Sequence, residues 1–455
     1  MEWITREWGL LKEEFREWSL LNKFAVIGAA VGAIVFIAWF LARPALNHAA
    51  QGREIAKAEA AAVAGDFATA RAIYLAVLDK SPKSPEPWAS YATFLEACSS
   101  SEAEVAWREA AQRDPLNAEL QARRVLSVLE NSGPAAAQKE LAQVPVELRD
   151  TPPILLASAD AAIAANQFRV AENLLAKVEA KAPDSPELTL AQSRLALAQG
   201  EPLNSAAIEK IAATSGPHQI PALRLLATRQ IANGETEAAR ETLSRILESG
   251  NASLDDHLTH LGLLLDTSSD SGPALVTAAA VAKRSESGSR KFLDFLLTRD
   301  QLQAASDFLD SLVMTDSLRP FALRLAIQQK DWTKIGIAAE ESGFDSRSIQ
   351  LFRAAIQGHD SGNPNALTQW TAALDSVLIV PSGPDFARLL AHESGWDEAE
   401  LAALQRMQLS DASHLPHLRR MLELQTKAGD VPAMERTAAI IQQFDPEAVQ
   451  SPRSE

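Results

Sequence analysis

Between residues 53 and 446, one arrangement of small, large and helix-ending residues recurs, and it limits the fold more than any other feature. Each copy places a small and a large residue four positions apart, on one face of a helix, and a proline ends most copies. The clearest copies contain Ala70, Tyr74 and Pro82; Ala103, Trp107 and Pro115; Ala171, Leu175 and Pro183; Ala239 and Leu243; and Met434, Ala438 and Pro446. A recurring pair of short helices is therefore predicted.

The sequence between these copies also favours helices. Glycine, proline, asparagine or serine clusters interrupt the helical spacing every 12–18 residues or so, which gives roughly two dozen helix-length segments. Alternating β-branched patterns never extend beyond a few residues. Because 47% of the residues are hydrophobic and 22% are charged, a disordered chain is excluded.

The second copy carries the fullest pattern in its first helix. Trp88, Tyr91, Ala92 and Leu95 precede Ala103, Trp107 and Pro115. These residues resemble the tetratricopeptide repeat, a helix–turn–helix unit of 34 residues. The resemblance implies an all-α fold, an α-solenoid of tetratricopeptide-like repeats. The first copy departs from the pattern, since only Ala58 keeps a required small residue. A non-repetitive helical bundle is the alternative.

The chain divides into five predicted segments. Residues 1–23 form an amphipathic helix, 24–42 a transmembrane helix, 43–52 a linker, 53–446 the solenoid and 447–455 a tail. Within the solenoid, the repeat signature is clearest in 53–118, 152–186, 220–250 and 412–446, and it is degenerate in 250–390.

Residues 24–42 contain no charge and are bracketed by Lys23 and Arg43. As a helix they would extend roughly 28 Å, close to the thickness of a bilayer core. An uncleaved signal anchor is predicted, and a cleaved signal peptide and a buried soluble helix are the alternatives. Gly28 and Gly32 form a GxxxG pattern, which would allow a homodimer through the span.

The flanks of the span favour one orientation. Four basic residues precede the span and three follow it closely: Arg6, Lys12, Arg16 and Lys23, then Arg43, Arg53 and Lys57. This weak excess places the N-terminus in the cytoplasm. We therefore expect a single-pass protein of a bacterial inner membrane, with the C-terminal domain in the periplasm. Before the span, an apolar stripe suits a membrane surface or a partner helix: Ile4, Trp8, Leu11, Phe15 and Trp18.

No catalytic or phosphate-binding motif occurs in the chain. His257 and His260 follow Asp255 and Asp256, and His414 and His417 share the same spacing, but neither set has an evident further ligand for a metal. The single cysteine, Cys98, fits a buried apolar position better than a nucleophile. We expect no cofactor, no metal and no enzymatic activity. The alternative is an enzyme with its site in 250–390.

The remaining expectation concerns partners. A net charge of −16 argues against nucleic acid. Stacked helix pairs offer a concave surface for peptides or whole proteins. Peptide-clamp members of the family use basic residues and asparagine where this chain has Glu86, Ala89, Thr93 and Glu96, so that clamp is not supported. We expect a membrane-anchored scaffold for envelope assembly, secretion or protein maturation. The alternative is a cytoplasmic recruitment platform.

Overall fold

The computed structural model describes residues 50–444, apart from 63, 251, 268–269, 342, 379, 381–382, 408 and 410–413. The predicted span with Gly28 and Gly32, the helix before it, Pro446 and the tail lie outside this range. The described residues contain no β-strand. None of their helices combines the length and the apolar composition that crossing a bilayer requires.

Two compact units divide the chain between Leu275 and Val276, and each is described by itself. The helices of the first unit form successive pairs, and the boundary falls within α14. The helices up to that point are α1 (50–62), α2 (Phe67–Lys80), α3 (Pro85–Ala97), α4 (Glu102–Arg113), α5 (Ala118–Ser132), α6 (Pro134–Gln143), α7 (Pro152–Ala164), α8 (Phe168–Lys181), α9 (Pro186–Gln199), α10 (Ser205–Ala213), α11 (Gln219–Ala232), α12 (Thr236–Glu248), α13 (Leu254–Asp266) and α14 (Gly272–Ala282).

The second unit continues the helical pairs, with α15 and α16 as its first complete pair. Its helices are α15 (Glu286–Thr298), α16 (Leu302–Asp310), α17 (Arg319–Gln328), α18 (Trp332–Glu341), α19 (Ser346–Asp360), α20 (Ala366–Val377), α21 (Gly383–Glu393), α22 (Asp397–Leu404), α23 (Leu415–Ala428) and α24 (Val431–Phe444). The described chain is thus an all-α array of helix pairs, as the repeat pattern predicts.

Local chemistry explains where the helices begin. Proline occupies the first turn of α3, α7 and α9, where its missing N–H leaves no bond unmade. Before α9, the Ser185 hydroxyl accepts a hydrogen bond from the Leu188 amide. Before α5, the Asn117 side chain accepts from two amides of the first turn. These caps satisfy backbone donors that a helix cannot pair internally.

Eleven of the turns inside helix pairs use one described residue with a left-handed backbone. In the first unit these residues lie 33 or 34 positions apart, and they are Gly65, Ser99, Gly133, Asn166, Gly200 and Gly234. Gly65, with φ of +82°, has the residue type that this conformation favours. The even interval matches the unit length of the tetratricopeptide repeat, so the backbone confirms the repeat independently of the side-chain signature.

Fully buried alanines lie where helices of the first unit meet. Small side chains let two helix backbones approach closely, which leaves no room for a larger residue. The alanines with no exposed surface in this unit are Ala58, Ala70, Ala92, Ala110, Ala111, Ala137, Ala159, Ala171, Ala191, Ala222 and Ala239. Larger side chains fill the space between pairs, as where the rings of Tyr74 and Tyr91 lie 5.7 Å apart.

The second unit has its largest core around α19 to α22, where aromatic rings pack among buried alanines. The Trp370 ring is fully buried, lies 4.9 Å from Phe352 and 5.5 Å from Trp396, and donates Nε1–H to the Ala399 carbonyl. Here α17 contacts α21, two pairs further along the chain, while α19 packs on α18 and α20. Larger contacts and an altered helix order explain why the sequence signature is degenerate in this region.

Candidate functional site

The first helices of successive pairs in the first unit share a face, and ion pairs mark it. Arg194 on α9 donates two hydrogen bonds of 2.8 Å to Asp160 on α7, 34 residues earlier. Arg224 on α11 donates two, of 2.9 and 2.8 Å, to Asp256 on α13, 32 residues later. Each pair of bonds joins neighbouring repeats. We call the side of α3, α5, α7, α9, α11 and α13 that carries these charges the inner face.

The pKa values of the two aspartates in these ion pairs shift in opposite directions. Burial raises the pKa of Asp160, although the guanidinium of Arg194 opposes the change. Burial would also raise the pKa of Asp256, but hydrogen bonds from Arg224 and Ser253 outweigh it and lower the pKa. Ser253 and Asp256 also form a capping box at the start of α13. Asp256 therefore fixes both a helix end and a contact between repeats.

Charges on several first helices of the inner face act on one carboxyl. Glu130 on α5 is exposed to solvent, yet burial by the surrounding protein raises its pKa. The charges of Arg123 and of Arg224 on α11 lower that pKa, and the charge of Asp255 on α13 raises it. We call the part of the inner face around Glu130 the groove, because stacked helix pairs form a concave side.

Glu96 on α3 is a second glutamate with a raised pKa, and its charge acts on Glu130. Its carboxylate accepts a hydrogen bond of 2.6 Å from Trp107 Nε1. Burial raises the pKa of Glu96, and the Trp107 bond and the charge of Arg123 only partly offset this. After burial, the charge of Glu96 is the largest influence on the pKa of Glu130, and it raises that pKa. The two glutamates therefore repel each other within the groove.

The residues of the predicted repeat signature lie in the core or at helix ends, not in the groove. Ala70, Ala92, Ala103, Ala171 and Ala239 are buried at contacts between helices, with Tyr74, Tyr91, Trp107, Leu175 and Leu243 packed around them. Trp88 is half-buried, and the guanidinium of Arg113 lies 4.6 Å from the centre of its ring. Pro82, Pro115 and Pro183 occupy the turns after α2, α4 and α8.

Peptide-clamp members of the family hold a carboxylate at positions where this chain has Glu86, Ala89, Thr93 and Glu96. In this structure these residues contact other parts of the same chain. The Thr93 hydroxyl donates to the Ala89 carbonyl of its own helix. Glu86 accepts from the Ser84 hydroxyl at the helix start, and Glu96 accepts from Trp107. These contacts supply no cation for a bound carboxylate.

The histidines and the cysteine do not assemble a site among the described residues. Asp256 accepts hydrogen bonds from Arg224. The buried Nδ1 of His260 has no hydrogen-bond partner among these residues. Burial, with the charge of Arg240, lowers the pKa of His260. His417 lies 3.7 Å from Asp385. Cys98 is buried at the end of α3 and is not part of a disulfide. No cluster of three potential metal ligands occurs within the described ranges.

The charged groove was missed by reasoning from sequence. Of its residues, only Glu96 and Asp255 and Asp256 were singled out, and each for another reason. A usable signal existed, because Asp160 and Arg194 have opposite charges and lie one repeat apart. Glu130 and Arg224 carry no such spacing, since their helices are three pairs apart.

No protein-family model matches the chain, and no curated protein matches it. Among solved structures, the chain is similar to a tetratricopeptide repeat protein from Parabacteroides merdae, at 16% identity and TM-score 0.33, over 56% of this chain and 98% of that one. It is similar to PilW, a type IV pilus biogenesis factor, at 16% identity and TM-score 0.26, over 53% of this chain and 97% of that one. It is also similar to the human IFIT1 dimer with PPP-AAAA, at 12% identity and TM-score 0.36, over 85% of this chain and 89% of that one. At such TM-scores, these similarities carry no argument about function.

Proposed function

We propose that this chain is a scaffold that binds other proteins along the inner face of its first unit and is tethered to a membrane by residues 24–42. The observation that supports binding is the row of first helices on one face, where ion pairs such as Arg194–Asp160 and Arg224–Asp256 join successive repeats. A surface of this kind can hold an extended segment of a partner along several repeats. The uncharged run bounded by Lys23 and Arg43 supports the tether.

The proposal includes a location. The slight excess of basic residues before the span supports an array outside the cytoplasm, in the periplasm of a bacterium. An array held at the membrane surface would meet envelope or secretion proteins in two dimensions, which raises their effective concentration.

Site-specific photo-crosslinking tests the binding face. A photoreactive residue replaces Thr228, which is exposed on α11 one turn after Arg224, in the full chain in cells. The matched control replaces Ala176, which is exposed on the second helix α8. We expect discrete protein adducts from position 228 and none from position 176. Equal patterns from both positions, or none from either, would contradict the binding proposal.

A pair of reporters fused to Glu455 tests the location. One reporter is active only outside the cytoplasm, and the other fluoresces only within it. We expect activity from the first and none from the second. The reverse result would place the array in the cytoplasm and leave a recruitment platform as the function.

A further inference from the structure

An open cleft lies between α12, a second helix, and α13, the first helix of the next pair. It has a volume of about 470 Å³, which is within the range of sites that hold a side chain or a small ligand. Five of its lining residues lie on α12 and one lies on α13, and they are Glu237, Ala238, Arg240, Glu241, Ser244 and His260. The cleft therefore has two polar walls, one from each repeat.

Arg240 forms only part of its possible hydrogen bonds in this cleft. Its Nη1 donates to the two carboxylate oxygens of Glu237, at 2.9 and 3.2 Å. Its Nε is buried and has no hydrogen-bond partner among the described residues. A buried N–H group without a partner has lost its hydration and gained nothing in return. An acceptor from a ligand would therefore be bound more strongly at this nitrogen than by an arginine at an open surface.

His260 brings a second unpartnered nitrogen to the same cleft. Its Nδ1 is buried and makes no hydrogen bond within the described part of the chain. Burial, followed by the charge of Arg240, lowers the pKa of His260, so the imidazole is neutral at neutral pH. A neutral imidazole has one nitrogen that accepts a hydrogen bond. With Nδ1 as that nitrogen, the cleft combines a donor on α12 with an acceptor on α13.

The charges that line the cleft disfavour an ionic ligand. Glu237 and Glu241 carry two negative charges, against the one positive charge of Arg240. A carboxylate of a partner would meet this negative excess and would compete with Glu237 for the guanidinium. An ammonium or guanidinium group has no acceptor to offer the Nε of Arg240. A neutral group that both accepts and donates is the better match, and the two glutamates are exposed, so they can turn aside as it enters.

We propose that this cleft binds the carboxamide of an asparagine or glutamine side chain on a peptide segment of a partner protein. The carboxamide oxygen accepts a hydrogen bond from the Nε of Arg240, and the carboxamide nitrogen donates one to the Nδ1 of His260. Because the cleft is open to solvent, the side chain enters it while the peptide backbone stays outside. The site is separate from the ion pairs of the inner face and goes beyond the scaffold function proposed for that face.

Peptide selection with the purified full chain in detergent micelles tests the proposal. A random dodecapeptide library is selected against the parent and against Arg240→Gln, and the peptides that only the parent binds report on the cleft. We expect these peptides to share asparagine or glutamine at one position. Arg245→Gln is the matched control, because it removes an exposed arginine from the same helix, and it should retain the peptides.

An isosteric change in the ligand tests the chemistry on the unmodified protein. Replacing the shared asparagine by aspartate, or glutamine by glutamate, keeps the shape and should weaken binding about tenfold. NMR titration of the His260 ring, with its signal assigned through His260→Phe, supplies a second measurement. The pKa of His260 should fall further when a selected peptide binds, because the peptide binds the neutral imidazole.

Four outcomes would overturn the proposal. They are the lack of a shared amide residue, equal or tighter binding of the acidic peptide, loss of the peptides in Arg245→Gln, and a rise in the pKa of His260 on binding. Displacement of a selected peptide by free glutamine at equal concentration would make the ligand a small amide and would also refute a peptide site. None of these results bears on the crosslinks from position 228, so the scaffold proposal is judged separately.

Discussion

Both units bury alanine where helices meet, but among the described residues the aromatic rings with less than 2% exposure, Phe292, Phe352 and Trp370, all lie in the second unit. The left-handed turn residues of the first unit follow at intervals of 33 or 34 residues, and those of the second, Asp300, Lys330, Gly362, Gly395 and Gly429, at intervals from 30 to 34. The more variable repeat length of the second unit thus accompanies larger fully buried rings, and alanine packing is common to both units.

The largest expected effect tests the aromatic core. Trp370→Ala removes a fully buried ring and the hydrogen bond to the Ala399 carbonyl, and it should lower the free energy of unfolding by about 3–5 kcal/mol. Urea unfolding of the full chain, followed by circular dichroism, measures this. Trp332→Ala, at the partly buried edge of the same cluster, should cost clearly less. Equal losses would mean that the second unit has no distinct centre.

The next effect depends on pH and tests the ion network of the second unit. Glu400 is buried, which would raise its pKa, but hydrogen bonds from His392 and Arg420 lower the pKa to about 2. A lowered carboxyl pKa stabilises the fold above the unfolded value of about 4.3, and that contribution is lost as pH falls towards 2. It amounts to about 3 kcal/mol at neutral pH.

Unfolding of the parent and of Glu400→Gln should be compared from pH 7 down to 3. The stability difference should be largest at pH 7 and should shrink below about pH 4.3 as the parent loses its charged pair. The opposite trend is expected for His392, whose raised pKa, caused first by its bond to Glu400, stabilises at low pH and loses effect as pH rises through that pKa. A pH-independent difference would show that Glu400 acts only by packing.

A moderate effect tests the alanine contacts of the first unit. Ala171→Leu forces a larger side chain into a contact with no free space and should cost about 1–3 kcal/mol. Ala176→Leu, exposed on the same helix α8, should change the free energy of unfolding by less than about 0.5 kcal/mol. If both leucines were tolerated, alanine packing would not set the repeat spacing.

The smallest effect concerns the turns. Lys330 adopts φ of +54° at the position that glycine occupies in other pairs. Lys330→Gly should therefore stabilise the second unit by about 0.5 kcal/mol, whereas Gly395→Ala, at φ of +67°, should destabilise it by about 1 kcal/mol. Thermal unfolding of the two variants against the parent measures both signs. Changes of the same sign would refute a shared turn geometry.

The sequence predicted the features that depend on one residue or on near neighbours. Pro82, Pro115 and Pro183 stand where helices have just ended, because proline cannot continue a helix. Ala171 and Leu175 lie four apart and share the buried face of α8. Such constraints act on one residue or on near neighbours, so the residue types in the sequence are enough to predict them.

The features that the sequence did not predict depend on contacts between repeats. Ser99 and Lys330 take the left-handed conformation although their residue types do not favour it, since the packing of the two flanking helices holds the turn. The charge of Arg224 influences the pKa of Glu130 from a helix three pairs away, and the relative position of such helices depends on small rotations between successive repeats. No spacing in the sequence records such a rotation.

The contact between α17 and α21 gives the second unit a particular evolutionary freedom. Arg324 Nε and Gln328 Nε2 on α17 donate hydrogen bonds of 3.1 and 2.9 Å to Glu393 on α21. The first helices of two pairs are thereby joined directly, although α19 and α20 intervene in the chain. The intervening hairpin can therefore vary in its exposed surface and turn length, provided that Phe352 and Trp370 keep their contacts with Phe386 and Trp396. A lineage could remodel that outer surface without rebuilding the row of first helices beside it.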